Sequence, residues 1–128
     1  MMKAILIDPF TCTVTEVEHD GELQAIYDLL THETMQVRTF EAVRPDWLAG
    51  RDVVFVDEEG LLKEPDRWFV IYGNGQPLAG KGLVIGADED GDTTAVETKL
   101  AMVRRRVVFL ELTDTGLYAT NTPWVKPE

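Results

Sequence analysis

Between Lys3 and Leu112 the chain alternates short apolar runs with clusters of charged and turn-forming residues. Residues 3–8, KAILID, with the apolar run AILI at 4–7, read as a buried strand. Asp8-Pro9-Phe10-Thr11 reads as a turn, since proline presets φ and aspartate accepts from the backbone ahead of it. Residues 12–18, CTVTEVE, read as a paired strand with Cys12, Val14, Glu16 and Glu18 on one face and Thr13, Thr15 and Val17 on the other. That mixed polarity predicts a sheet edge. Leu23, Ile26, Tyr27 and Leu30 recur at i, i+3, i+4 and i+7, which predicts a helix over about residues 21–31, capped by Asp20. Glu22 then lies in its first turn, where the helix dipole favours an anion.

Downstream, Met35 to Val43 alternates and predicts a strand, and Pro45 opens a connection holding at most one helical turn. Further strands are expected at Val53 to Val56, Trp68 to Tyr72 and Leu83 to Ile85, with Asp57 to Gly60 as a turn before the apolar pair Leu61-Leu62. Thr94-Ala95-Val96-Glu97 has the form of a capping box and predicts a second helix, with Val96, Leu100, Val103 and Val107 as its buried stripe. Arg104, Arg105 and Arg106 would complement its C-terminal dipole. Val107 to Leu112 is expected to turn over into a last strand. The order β-β-α-β-β-β-β-α-β predicts an α+β fold: a mainly antiparallel sheet of about five to six strands with two helices on one face. Residues 1–112 make a single domain, and residues 113–128 a C-terminal tail, either loosely ordered or an arm packing through Tyr118 and Trp124.

Composition narrows the partners. The chain has 128 residues, 45% of them hydrophobic, enough for one core without staples. Its formal charge of −11 and pI near 4.5 repel nucleic-acid phosphates and anionic lipid and attract a basic protein partner. Cys12 is the single cysteine, so no internal disulfide can form, and a reducing, cytoplasmic setting is expected. The N-terminal apolar run is too short for a membrane span or a secretory segment.

Several stretches invite a chemical reading. Gly75 to Lys81 spells G-x-x-x-x-G-K, the phosphate-binding loop without its final hydroxyl. The next residue is Gly82, LVIG follows with the pattern of a strand, and Pro77 removes an N–H. Turns are the expected reading, with Asn74-Gly75 as a type I′ hairpin. Residues 88–92, DEDGD, place Asp88, Asp90, Gly91 and Glu97 at four calcium-loop positions, but Gly86 occupies the first ligand position. Asp57-Glu58-Glu59 could supply paired carboxylates, and Cys12 with His19 or His32 a nucleophile and base, but neither has a recognisable partner motif. Cys12 in a half-buried strand is expected to be inert. Arg104 to Arg106 is a small basic footprint against the global charge; Trp68 is expected in the core and Trp124 as an exposed contact. No catalytic, cofactor-binding or metal-binding residue is therefore assigned, and no enzymatic activity or cofactor is expected.

Taken together, MKAILIDP with its following strand and helix, VVFVDEEGLL, and GQPLAGKGLVIG resemble a family of small uncharacterised proteins of bacteriophages and mobile elements, catalogued only as a domain of unknown function. The likeness covers residues 2–86. It implies a mobile-element or accessory context and carries over no site residues. The expected function is a non-catalytic macromolecule-binding accessory factor, monomer or homodimer, whose acidic turns at 57–59 and 88–92 meet a basic partner. The alternative is a small-ligand or divalent-metal-binding domain using residues 73–82 or 88–92.

Overall fold

The computed structural model describes residues 1–127. All strand pairings are antiparallel, and the strands divide between two sheets. Sheet 1 contains β1 (Met2–Asp8), β2 (Thr13–His19), β3 (Phe40–Val43), β4 (Val53–Asp57), β7 (Gly82–Ala87) and β8 (Thr93–Thr94). Its order is β2-β1-β7-β4-β3, with β8 paired to the end of β7. Sheet 2 has the order β10-β9-β5-β6, from β5 (Arg67–Ile71), β6 (Leu78–Ala79), β9 (Val107–Thr113) and β10 (Gly116–Ala119). Three short helices complete the domain: α1 (Leu23–Leu30), α2 (Gly60–Lys63) and α3 (Leu100–Arg105). No described helix is long and apolar enough to cross a membrane.

The central strands of sheet 1 carry unbroken apolar runs, 4–7, 53–56 and 82–87, because both of its faces are covered. Ala4, Leu6, Val53, Phe55, Leu83 and Ile85 project to one face, where Ile26 and Leu30 of α1 pack on them. Ile5, Ile7, Val54, Val56 and Val84 project to the other, against Phe69 and Ile71 of sheet 2 and Val103 of α3. The result is a layer stack of α1, sheet 1, and sheet 2 with α3. The register sets one close fit in the middle of it. Ile7, Gly82 and Val56 lie side by side, and a Cβ built on Gly82 would sit 2.6 Å from Phe69 Cζ. Only a residue without a side chain leaves room for that ring.

The α+β class and the edge position of β2 agree with the sequence pattern. Several expectations are corrected. One sheet with two helices on one face becomes two sheets and three helices, with α1 and α3 on opposite faces of sheet 1. Asp20 does not cap α1: Gly21 at φ +83° holds the chain out of helix, Asp20 Oδ1 accepts the Glu22 N–H at 2.9 Å, and Glu22 is the cap. The expected strand at Met35 to Val43 survives only as β3, because Met35 packs with Trp68 and Ala79 of sheet 2 while Val37 packs beneath α1, so the two cannot share a sheet. Leu61 and Leu62 belong to α2 and are exposed.

The capping box at Thr94 does not form. Thr94 pairs with Gly86 in β8, and the buried carboxylate of Asp52 accepts the N–H groups of Glu97 (3.0 Å) and Thr98 (2.7 Å) and the Thr98 hydroxyl (2.7 Å). This holds 97–98 outside the helix, Lys99 is the extended N-cap, and α3 starts only at Leu100; Val107 opens β9 instead of extending a helix stripe. Asn74-Gly75 is not a type I′ turn, since neither residue has positive φ; Gly73, at φ +89°, reverses the chain.

Beyond β9 the chain returns as β10 and then passes over the first turn. The buried Arg67 donates from Nη1 to Thr122 O at 2.6 Å and to Pro9 O at 3.3 Å, and the Trp124 N–H donates to Phe10 O. His32 lies flat on Phe10, ring centres 3.6 Å apart, with Trp124 edge-on to both.

Candidate binding cleft

At the N-terminal end of α1 the two layers part, leaving a cleft of about 550 Å³. Its apolar floor and walls are Met2, Leu23, Ile26, Phe40 and Phe55. Phe40 and Phe55 are fixed by a ring contact of 4.6 Å, and Tyr27 meets Phe40 edge-on at 5.3 Å. Leu23 starts the periodic stripe of α1 yet is 56% exposed, where it lines the cleft.

Three exposed carboxylates rim the cleft: Asp20, Glu22 and Asp92. Each is placed by a local device. Asp20 is held by its bond to the Glu22 amide, and Thr93 Oγ1 donates to Gly21 O at 3.2 Å, tying β8 to the entrance of α1. Asp88 Oδ1 accepts the N–H groups of Asp90 and Asp92, both at 2.9 Å, and Gly91 at φ +85° completes that turn. None of the three makes an ion pair with a described residue, and no Lys, Arg or His lines the cleft. The cleft is therefore a locus of negative potential above a hydrophobic floor. Behind the rim, His19 is buried, and its Nδ1 accepts the Gly21 N–H at 3.0 Å. Burial holds its pKa below the usual value, the N-terminal amine pushes in the same direction, and Asp20 opposes both.

The other stretches singled out in the sequence fall elsewhere. Gly82 opens a strand, and Lys81 Nζ is turned inward, donating to Thr31 O at 3.2 Å and lying 3.8 Å from Asp8 Oδ2. Backbone amides do not converge there as a phosphate loop requires. Asp57 is buried and bonded at 2.6 Å to Lys63, and the expected turn, at 58–59, leads into α2, away from the cleft. Cys12 stands at φ +56° in the turn before β2, outside the strand, beside Arg67 Nη1 (3.5 Å); neither histidine bonds to it, and burial raises its thiol pKa. Arg104 bonds Val14 O at 2.9 Å and Arg106 lies over Trp47 at 5.0 Å, so two of the three arginines hold the fold. Trp68 is buried, with its indole N–H on Pro65 O. Trp124 is half-buried against His32. Among the described residues, no group of three His, Cys, Asp or Glu is arranged to hold a metal ion.

Sequence reasoning named the 88–92 turn but read Asp20 and Glu22 only as helix-start residues. The signal that could have joined them is Thr93, whose hydroxyl bonds the residue between them. Residues 2–107 match the family model described as "Domain of unknown function (DUF3846)", so the likeness runs beyond Gly86 through α3. No curated protein and no solved structure matches the chain.

Proposed function

The chain belongs to the DUF3846 family, and we propose that it is a non-catalytic binding module that takes a basic segment of another protein into the cleft at the start of α1. The observation that carries this reading is the set of three unpaired carboxylates above an apolar floor. A lysine or arginine has the complementary form, with an aliphatic stem for the floor and a charged head for the rim. A neighbouring apolar residue could fill the space between Phe40 and Leu23. The global charge of −11 would speed the encounter and exclude nucleic acid. The cleft is firmer footing than the small-ligand or metal reading, because Lys81 is engaged by Thr31 O and Asp8, and Asp88 by the amides of its own turn.

The test is titration calorimetry with a peptide of alternating lysine and leucine, beside an alternating glutamate and leucine control. Binding of the lysine peptide is expected to weaken about tenfold or more when salt rises from low to several times physiological strength. The Asp20→Asn, Glu22→Gln, Asp92→Asn triple variant should abolish binding with its melting temperature retained. Equal binding of both peptides, or an unaffected triple variant, would refute the reading. Thermal melts with calcium, magnesium and nucleotides test the other class, since a ligand of the folded state must raise the midpoint.

A further inference from the structure

Behind the carboxylate rim, His19 ends β2, paired with Met2 of β1 and only 2% exposed. Its two ring nitrogens stand in different surroundings. Nδ1 accepts the Gly21 N–H at 3.0 Å, so the neutral ring carries its proton on Nε2. Nε2 is buried with no hydrogen-bond partner among the described residues. Gly21 stands between two of the three rim carboxylates, Asp20 and Glu22, and its carbonyl takes the Thr93 hydroxyl that ties β8 to the cleft. One imidazole lone pair therefore holds the segment that carries most of the rim. The charged groups acting on the ring are Asp20, next to it in the chain, and the N-terminal amine, from the start of β1.

We infer that His19 is a proton-operated latch on the cleft: a proton on Nδ1 breaks the bond to Gly21, loosens residues 20–22 and lowers the affinity of the cleft for a basic segment. The last step rests on the peptide reading above; the latch rests on the ring and its bond. An imidazolium has two donors and no acceptor, so Nδ1–H would face the Gly21 N–H, donor against donor. The second consequence is electrostatic. A positive charge arises behind a rim that must receive a lysine or arginine head, and the neighbouring Asp20 is drawn toward the ring. Both effects act in the same direction. Burial keeps the folded ring harder to protonate than a free histidine, so the latch is closed at neutral pH and opens as pH falls below about 6.5. Binding and protonation are reciprocal, so a bound cationic segment must make the ring harder still to charge.

Nuclear magnetic resonance of the full chain between about pH 7.5 and 5 follows the His19 ring and the Gly21 amide together. The Gly21 and Glu22 amide signals should move with the ring's titration. Protection of the Gly21 amide against hydrogen exchange should fall about tenfold or more as the ring is charged, while the amides of β1 and β7 keep theirs. In calorimetry the alternating lysine and leucine peptide should bind about tenfold more weakly at the acid end. His19→Asn supplies an oxygen for the Gly21 amide and does not titrate, so both responses should vanish; His32→Asn should keep them. Should the His19 variant not fold, the wild-type spectra decide. A ring that stays neutral down to about pH 5, a Gly21 amide indifferent to its titration, or a response that His19→Asn retains overturns the latch. A peptide bound equally across the range, yet lost in the triple carboxylate variant, also overturns it and leaves the peptide reading standing. A peptide that never binds, while Gly21 still opens with the ring, removes the peptide reading and leaves the latch.

Discussion

The contact between Gly82 and Phe69 can be tested with one methyl group. In Gly82→Ala the new Cβ would stand 2.6 Å from Phe69 Cζ, 3.1 Å from Cε1 and 3.3 Å from Val54 Cγ1. Carbon atoms settle at about 3.5–4.0 Å, so the ring must retreat by roughly 1 Å. It has nowhere to go: Phe69 is fully buried between the sheets, and Ile71, Val54 and Val56 surround it. The backbone of Gly82 is not in the left-handed region, so the cost is one of packing and not of φ. Overpacking of this kind costs about 1–3 kcal/mol. For a domain of this size that lowers the melting temperature by about 3–11 °C. Gly75→Ala is the control: a Cβ there meets nothing within 4 Å and φ is not positive, so it should be neutral or slightly stabilising. Urea unfolding at constant m-value measures both. Phe69→Leu on the Gly82→Ala background should cost less than on wild type, since shortening the ring relieves the clash. A Gly82→Ala chain within about 0.3 kcal/mol of wild type, or strict additivity with Phe69→Leu, would refute the packing account.

Other expectations follow from buried groups. Asp52→Ala strips three donors of their acceptor beneath the 97–98 segment and should destabilise the fold by about 2–4 kcal/mol, with Asp52→Asn intermediate; a loss under about 1 kcal/mol in chemical denaturation would count against it. His19 and His32 have folded pKa values below the ordinary histidine value, through burial in both and additionally through Lys81 for His32. Below about pH 6.5 the unfolded chain binds protons that the folded chain refuses, so their contribution is complete above that pH and is lost as pH falls toward their folded values. Comparing urea midpoints at neutral and mildly acid pH, wild type should lose more than the His19→Asn, His32→Asn double variant; equal losses would show that neither ring carries the dependence.

The chain's own pattern determined the strands at the centre of the molecule, the helix from Leu23 to Leu30 and the edge position of β2, because continuous apolar runs and a 3.6-residue period report burial directly. It also showed that residues after Gly82 extend instead of coiling, which removed the phosphate loop. Local signals failed where a distant group competed for the same backbone. Asp52 accepts the Glu97 amide that a Thr94 cap would have taken, and Met35 and Val37 were drawn into different cores. The cleft was half visible. Its 88–92 turn was named from charge, but Asp20, Glu22, Phe40 and Phe55 became one surface only when β8 was tied to the head of α1. Alternation along a strand says that two faces differ or agree. Which layer covers each face, and which face stays uncovered, is settled by pairings between residues far apart in the chain.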